Sequence, residues 1–280
     1  MKVATRKKRN YGKYIVIAFL ILFTIYTMIP IYYIVVSSFK MQIESIRSPL
    51  GFPNPIRYEN YVNAFNEMRY FRALRNNATI TISAVTGIVV LSSMAAYPLA
   101  RLKIKLNRFI FVGFLCGMMI PGQMLLFPLF RLMAGFGLIN NLFSVILLQV
   151  TGGLPFAVFL FTGFIKTIPY EIEEAAYIDG AGPFKTFWKV LLPLIKPVVA
   201  TVVILNSLSS WNDFLGPLMF LQSRDRGVLL LEVFRNIGRW GTNFFAMLPM
   251  LVLTVLPIMV LYLFLQRYII KGVISGSLKG

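Results

Sequence analysis

The chain has 280 residues, of which 58% are hydrophobic and 14% charged, with a mean hydropathy of +0.74. A soluble domain carries about 25% charged residues, and 25 Phe with 13 Tyr exceed what a core of this size hides from water, so lipid must act as part of the solvent. The absence of His and the single Cys, Cys116, exclude a His-based catalytic triad, a His/Cys zinc site and a disulfide within the chain. The net charge of +18 invites a nucleic-acid reading. In so apolar a chain it reads instead as topology signals beside anionic headgroups.

Stretches without charge locate the spans, because a helix needs about 20 apolar residues to cross the hydrocarbon. In chain order, with one further window of spanning length that holds a single acid, Asp213, they predict six: about 14–38, 77–100, 109–133, 140–165, 196–222 and 244–268. The first follows a basic segment, Lys2, Arg6, Lys7, Lys8, Arg9 and Lys13. It is too long for the core of a secretory signal, about 7–15 residues, and reads as an uncleaved span. If the basic segment is cytoplasmic, an even number of spans returns the C-terminus to the same side. Inside loops then hold 17 basic residues against 11 outside, in agreement with the positive-inside rule.

Two external segments follow from this topology. Residues 39–76 hold Pro49, Pro53, Pro55 and an amphipathic stretch from Tyr58 to Arg75; residues 223–243 hold Arg224, Asp225, Arg226, Glu232, Arg235 and Arg239. Each is either a connector or a surface for an external partner. Inside the spans, prolines such as Pro98, Pro121, Pro155 and Pro257 remove backbone bonds that lipid cannot replace. Neighbouring helices must make up for them, which predicts a bundle. Gly87, Gly113, Gly117, Gly152, Gly153 and Gly163 are placed to let helices approach closely.

Polar residues at membrane depth are few: Gln123, Gln149, Asn206, Trp211, Asn212 and Asp213. They are the candidates for a polar path. Asp213 is the only acid among them, and an ionised acid there needs a cavity, a partner or a route to the surface. Snorkelling to the external face and lining a path near an outer gate both fit. A proton relay finds little support, since no second acid or lysine accompanies it.

The connection from Lys166 to Pro193 reads as two short helices. Pro169 suits a first helical turn, and Glu171, Glu173 and Glu174 sit near its positive end. Gly180 can take the left-handed conformation that closes a helix, and Pro183 opens the second. The loop either lies on the headgroups or forms a knob, with small Ala175 and Ala176 on its surface, that fits a groove in a cytoplasmic protein.

The pattern Glu174-Ala175-Ala176-x3-Gly180-x9-Val190-x-Leu192-Pro193 resembles the EAA loop of permease subunits of bacterial ABC importers, with Val190 where that family usually has Ile. Trp211-Asn212-Asp213-Phe214, followed by Pro217-Leu218, is similar to the maltose-type carbohydrate permeases, specifically their MalG-like half. The resemblance implies an all-α integral membrane protein of the bacterial cell membrane. It would be a bundle of six transmembrane helices with both termini cytoplasmic, a single permease domain over 1–280 and a coupling loop at 167–194. It would form half of a pathway for a sugar, an oligosaccharide more than a monosaccharide. The implied partners are a second, MalF-like permease, two cytoplasmic ATPase subunits and an extracellular sugar-binding protein.

By the same resemblance Glu173, Glu174, Ala175, Ala176, Asp179, Gly180 and Pro193 would couple to the ATPase. Glu174 would make a charged contact and Gly180 would fix a bend that any side chain would force open. The end of the chain, with Ser275, Gly276 and Ser277, is similar to the tail that reaches between the ATPases. No Gly-x4-Gly-Lys-Ser/Thr loop is present, so ATP is expected on the partners, and the chain itself is expected to hold no cofactor or metal and not to be an enzyme. A self-sufficient secondary transporter or channel is the alternative. It should show inverted repeats, broken helices or several buried charges. A membrane-embedded enzyme would need converging catalytic side chains, and that set is missing.

Overall fold

The computed structural model describes residues 11–240 and 244–277, and among these there is no strand. The helices in chain order are α1 (Tyr11–Ser37), α2 (Gln42–Arg47), α3 (Glu59–Glu67), α4 (Tyr70–Arg101), α5 (Lys105–Met118), α6 (Gly122–Gly135) and α7 (Leu142–Ile165). Then come α8 (Glu171–Ile178) and α9 (Pro183–Thr186), which continues through a π turn at Phe187–Leu191 into α10 (Leu192–Leu194). The remainder are α11 (Lys196–Trp211), α12 (Leu215–Phe220), α13 (Leu229–Trp240) and α14 (Leu248–Ser277).

Four described helices are long and apolar enough to cross a membrane: Gly12–Ser37, Tyr70–Arg101, Leu142–Ile165 and Phe244–Phe264. Two predicted spans need correction. The one near 109–133 is broken into α5 and α6, which meet at 100°. Pro121 has no amide hydrogen to continue the ladder and disfavours helix at the residue before it. The chain turns on Met119 N donating to Cys116 O (3.0 Å) and starts again with Met124 N donating to Pro121 O (3.0 Å). The one near 196–222 stops at Trp211, and α12 is a separate short helix. Upstream, the segment Pro183–Leu194 meets α11 at a bend of 77°. Counting each bent pair as one span gives up to six.

The chain divides into two compact units, Met1–Glu67 with Ile237–Leu253, and Met68–Asn236 with Thr254–Gly280. In the first, α1 exposes apolar side chains along most of its length, from Tyr14 to Ile31. Its end is tied down. Ser38 Oγ and Tyr61 Oη lie 2.7 Å apart, Lys40 Nζ donates to Ser48 O (2.8 Å), and Asn60 Nδ2 donates to Ser38 O (2.9 Å) and Lys40 O (3.0 Å). The Phe39 ring packs on Tyr61 at 4.6 Å. Residues 38–61 are therefore bonded structure rather than a loose connector.

In the second unit, α4 lies along α7 and α11 crosses both. Ala84, Ile88, Val150, Phe161, Leu191 and Val202 are at the centre of this core. Two glycines make the approach possible. A Cβ at Gly87 would stand 2.9 Å from Val150, and one at Gly153 would stand 2.5 Å from Ile88 and 2.8 Å from Asn206 Oδ1. Gly117 has only an ordinary contact, with Pro155, and Gly113, Gly152 and Gly163 face open space. The expectation that all six glycines tighten the bundle holds at Gly87 and Gly153 alone.

Helix α4 is fastened at both ends. At its start, Arg69 and Arg72 pair with Asp225, and Asn76 Nδ2 donates to Asp225 O (2.9 Å) and Gly227 O (3.0 Å). At its finish, Arg101 Nε pairs with Glu173 Oε1 at 2.6 Å. Asp225 and Gly227 on one side and the 166–193 loop on the other thus meet opposite ends of one helix.

Candidate functional site

The two-helix loop folds as its punctuation dictates. Three glutamates occupy the first turn of α8, where the helix dipole favours them. Gly180 closes the helix at φ +76°, with Gly180 N donating to Tyr177 O (3.0 Å) and Ala181 N to Ala176 O (2.9 Å). That left-handed turn was legible in the sequence. The expectation that a side chain there would drive the helices apart is overturned, because a Cβ on Gly180 would meet nothing within 4 Å.

The residues singled out for coupling divide into two faces. Glu174, Ala175, Asp179, Gly180 and Pro193 are exposed and Ala176 is half-buried. Glu173 points the other way and is 1% exposed. Its carboxylate pairs with Arg101 and accepts from Tyr97 Oη (2.9 Å), while Arg101 Nη2 donates to Ile168 O (3.0 Å). Phe187, 3% exposed, packs against Tyr97 at 5.8 Å. Glu173 is thus the peg that holds the loop to the end of α4, while its neighbour Glu174 is exposed.

A groove of about 850 Å³, apolar over most of its lining but carrying several polar side chains, opens beside α7 and α11. Four of the six pathway candidates line it: Gln149, Asn206, Asn212 and Asp213. Asp213 does not stand alone. Its Oδ2 accepts from Gln149 Nε2 (3.0 Å) and its Oδ1 from Gly216 N (3.1 Å). Gln149 Oε1 in turn accepts from Ser210 Oγ (2.6 Å), which lies 3.1 Å from Thr81 Oγ1. The acid is held by a chain of hydrogen bonds reaching into the α4–α7–α11 core.

Trp211 and Gln123 are placed elsewhere. Trp211 is buried and its Nε1 donates to Thr254 O (3.2 Å), fixing α11 to α14. Gln123 is exposed in the first turn of α6. Sequence reasoning missed Ser210, whose only signal was a Ser-Ser pair just before the Trp-Asn-Asp run, and Thr81, which carried none. Ser275, Gly276 and Ser277 form the end of the α14 backbone; their side chains, and residues 278–280, lie outside the described residues. So do residues 1–10, which hold most of the first basic cluster. No group of three or more His, Cys, Asp or Glu that could hold a metal occurs among the described residues.

Helices of spanning length and apolar surfaces that water would not tolerate define an integral, multi-pass membrane protein. Residues 87–275 match the family described as the binding-protein-dependent transport system inner membrane component, and the chain belongs to it. It is a permease subunit of an ABC transporter and not an enzyme.

The chain is 33% identical to the diacetylchitobiose uptake system permease protein NgcG of Streptomyces coelicolor over 94% of its length and 87% of that protein. It is 34% identical to the melibiose/raffinose/stachyose import permease protein MelC of Bacillus subtilis over 90% and 91%. Its fold is similar to a chain in the crystal structure of a bacterial ABC transporter that imports the acidic polysaccharide alginate, with a TM-score of 0.82, 22% identity, and coverage of 96% and 99%. The broken helices found here were the feature expected of a secondary transporter. Family membership takes that inference away from them.

Proposed function

We propose that the chain is one permease subunit of an ATP-driven carbohydrate importer in the bacterial cell membrane and forms half of its translocation pathway. Its substrate is an oligosaccharide, in keeping with the names of its relatives. The subunit crosses the membrane six times with both termini cytoplasmic. Its partners are a second, MalF-like permease, two cytoplasmic ATPases and an external sugar-binding protein. ATP is bound by the ATPases, and this chain needs no cofactor.

One observation carries the reading: a short helix, α8, pegged to α4 by the buried Glu173–Arg101 pair while its Glu174, Ala175, Asp179 and Gly180 face stays open. A subunit without a phosphate loop must receive work through a rigid contact. The peg makes the helix rigid, and the small residues permit close approach. Along the groove, Asn206, Asn212 and Asp213 offer amides and a carboxylate, which suit the hydroxyls of a neutral sugar.

The test is purification of the full chain in detergent with whatever subunits remain bound, followed by a screen of sugars for stimulated ATP hydrolysis. Retention of an ATPase and stimulation by an oligosaccharide with its binding protein are expected. A stable chain that retains no ATPase and imports unaided in vesicles would overturn the reading.

A further inference from the structure

Where α4 gives way to α5, beside the start of α8, the surface opens into a second cavity of about 1120 Å³, distinct from the groove beside α7 and α11. Four cations line it: Lys103, Lys105, Arg108 and Lys166. All four are exposed, and none is in an ion pair with a described residue. The fifth cation, Arg101, is neutralised by Glu173. Glu171 is the one unpaired acid on the lining. The excess of positive charge is therefore local and uncompensated, which is unfavourable unless an anion is nearby.

The cavity is also built rather than incidental. Asn107 Nδ2 donates to Pro98 O (2.9 Å) and Leu102 O (3.0 Å), fixing the corner between α4 and α5. Arg101 Nη2, bonded to Ile168 O, fixes the facing wall. Lys166 Nζ sits 5.4 Å from the centre of the Phe111 ring. Helix α5 starts at this cavity, and its N-cap, Ile104, supplies no side-chain hydrogen bond, so first-turn amides remain for an anion. Directly beside the cations stand Leu102, Ile104, Leu106 and Phe109, exposed by 55%, 52%, 61% and 77%. Four cations bordering a strip of exposed apolar side chains, at the end of membrane helices, match the two halves of one molecule. A phosphate head meets the cations and acyl chains meet the strip.

We propose that this cavity binds the headgroup of an anionic phospholipid, with Lys103, Lys105, Arg108 and Lys166 on the phosphate and the Leu102–Phe109 strip on the tails. The site lies at the base of the coupling loop, so an occupied headgroup braces the wall from which α8 projects. This does not depend on which sugar is carried.

The full chain, purified with the subunits that accompany it, is exposed in detergent to equal amounts of phosphatidylglycerol and phosphatidylcholine with the same acyl chains. Retained lipid is counted by native mass spectrometry. Preferential retention of phosphatidylglycerol is expected, since each cation near an anionic surface contributes about fivefold. Lys103→Gln and Lys166→Gln should each lower that preference about fivefold, and Lys103→Arg should keep it. Lys103 lies in the non-helical 102–104 connection, so its replacement leaves every helix intact. Equal retention of the two lipids by the unaltered chain, or an unchanged preference in the Gln variants, would overturn the site. Displacement of the lipid by millimolar inorganic phosphate would make it a free-phosphate site and overturn the lipid assignment.

Discussion

At Glu173 a carboxylate with 1% exposure sits against a guanidinium whose side chain is 12% exposed, while one residue later Glu174 stands in the open. The burial of Glu173 is not legible in sequence, because its partner lies at Arg101, in a different helix. Removing one member of a buried pair strands the other, at a cost of about 3–5 kcal/mol. Glu173→Ala should therefore lower the melting temperature of the purified chain, with Glu173→Gln, which keeps the bond from Tyr97, falling between. Glu174→Ala should leave the melting temperature unchanged and weaken only the retention of the ATPase. Equal melting of Glu173→Ala and Glu174→Ala would remove the distinction between peg and contact. At Gly180 the φ of +76° makes a β-branched residue cost about 1–2 kcal/mol, and open space removes any clash. Gly180→Val should then reduce ATPase retention through backbone strain, and Gly180→Asn, which tolerates that conformation, should restore it. Failure of Asn as severe as that of Val would mean that the surface itself, rather than its conformation, requires glycine. Asp213→Asn keeps the size of the side chain and its acceptor oxygen. Insertion and assembly should persist while transport falls, measured as sugar uptake in vesicles.

Helices α4, α7 and α11 show what a hydropathy pattern does and does not convey. Charge-free windows located each of them, because a run of apolar residues is the same statement in sequence and in lipid. The same windows read 109–133 as one span, since Met118, Met119 and Ile120 continue the apolar run across the break. Apolarity carries no direction, and the 100° turn falls at Pro121, which cannot continue the helical ladder. Glycine contacts were equally opaque. Gly152 and Gly153 are adjacent and identical in sequence, yet only Gly153 is wedged between Ile88 and Asn206. Gly153→Ala should destabilise the bundle by about 1–3 kcal/mol through overpacking, and Gly152→Ala, pointing into open space, should change melting little. The polar side chains of the groove were legible as a set of residue types but not as a network. Gln149 and Asp213 are far apart in sequence, and only the packing of α7 on α11 brings them to 3.0 Å.

On the scale of the whole chain, basic residues predict sidedness without any fold. Cysteine labelling after replacement of Cys116, which is exposed, should reach position 60 only from outside and position 185 only from the cytoplasm. The reverse pattern would invert the topology. Less readable was the wiring between the two faces. The 32 residues of α4 make a continuous helix about 48 Å long, at about 1.5 Å per residue. One tip holds the loop through Glu173, and the other holds Asp225 and Gly227 through Arg69, Arg72 and Asn76. No flexible segment interrupts that line. Were the loop displaced, the strain would have one unbroken helical path to the far end of α4, and the strength of its two end joints, not the softness of intervening connectors, would set how much of the stroke arrives.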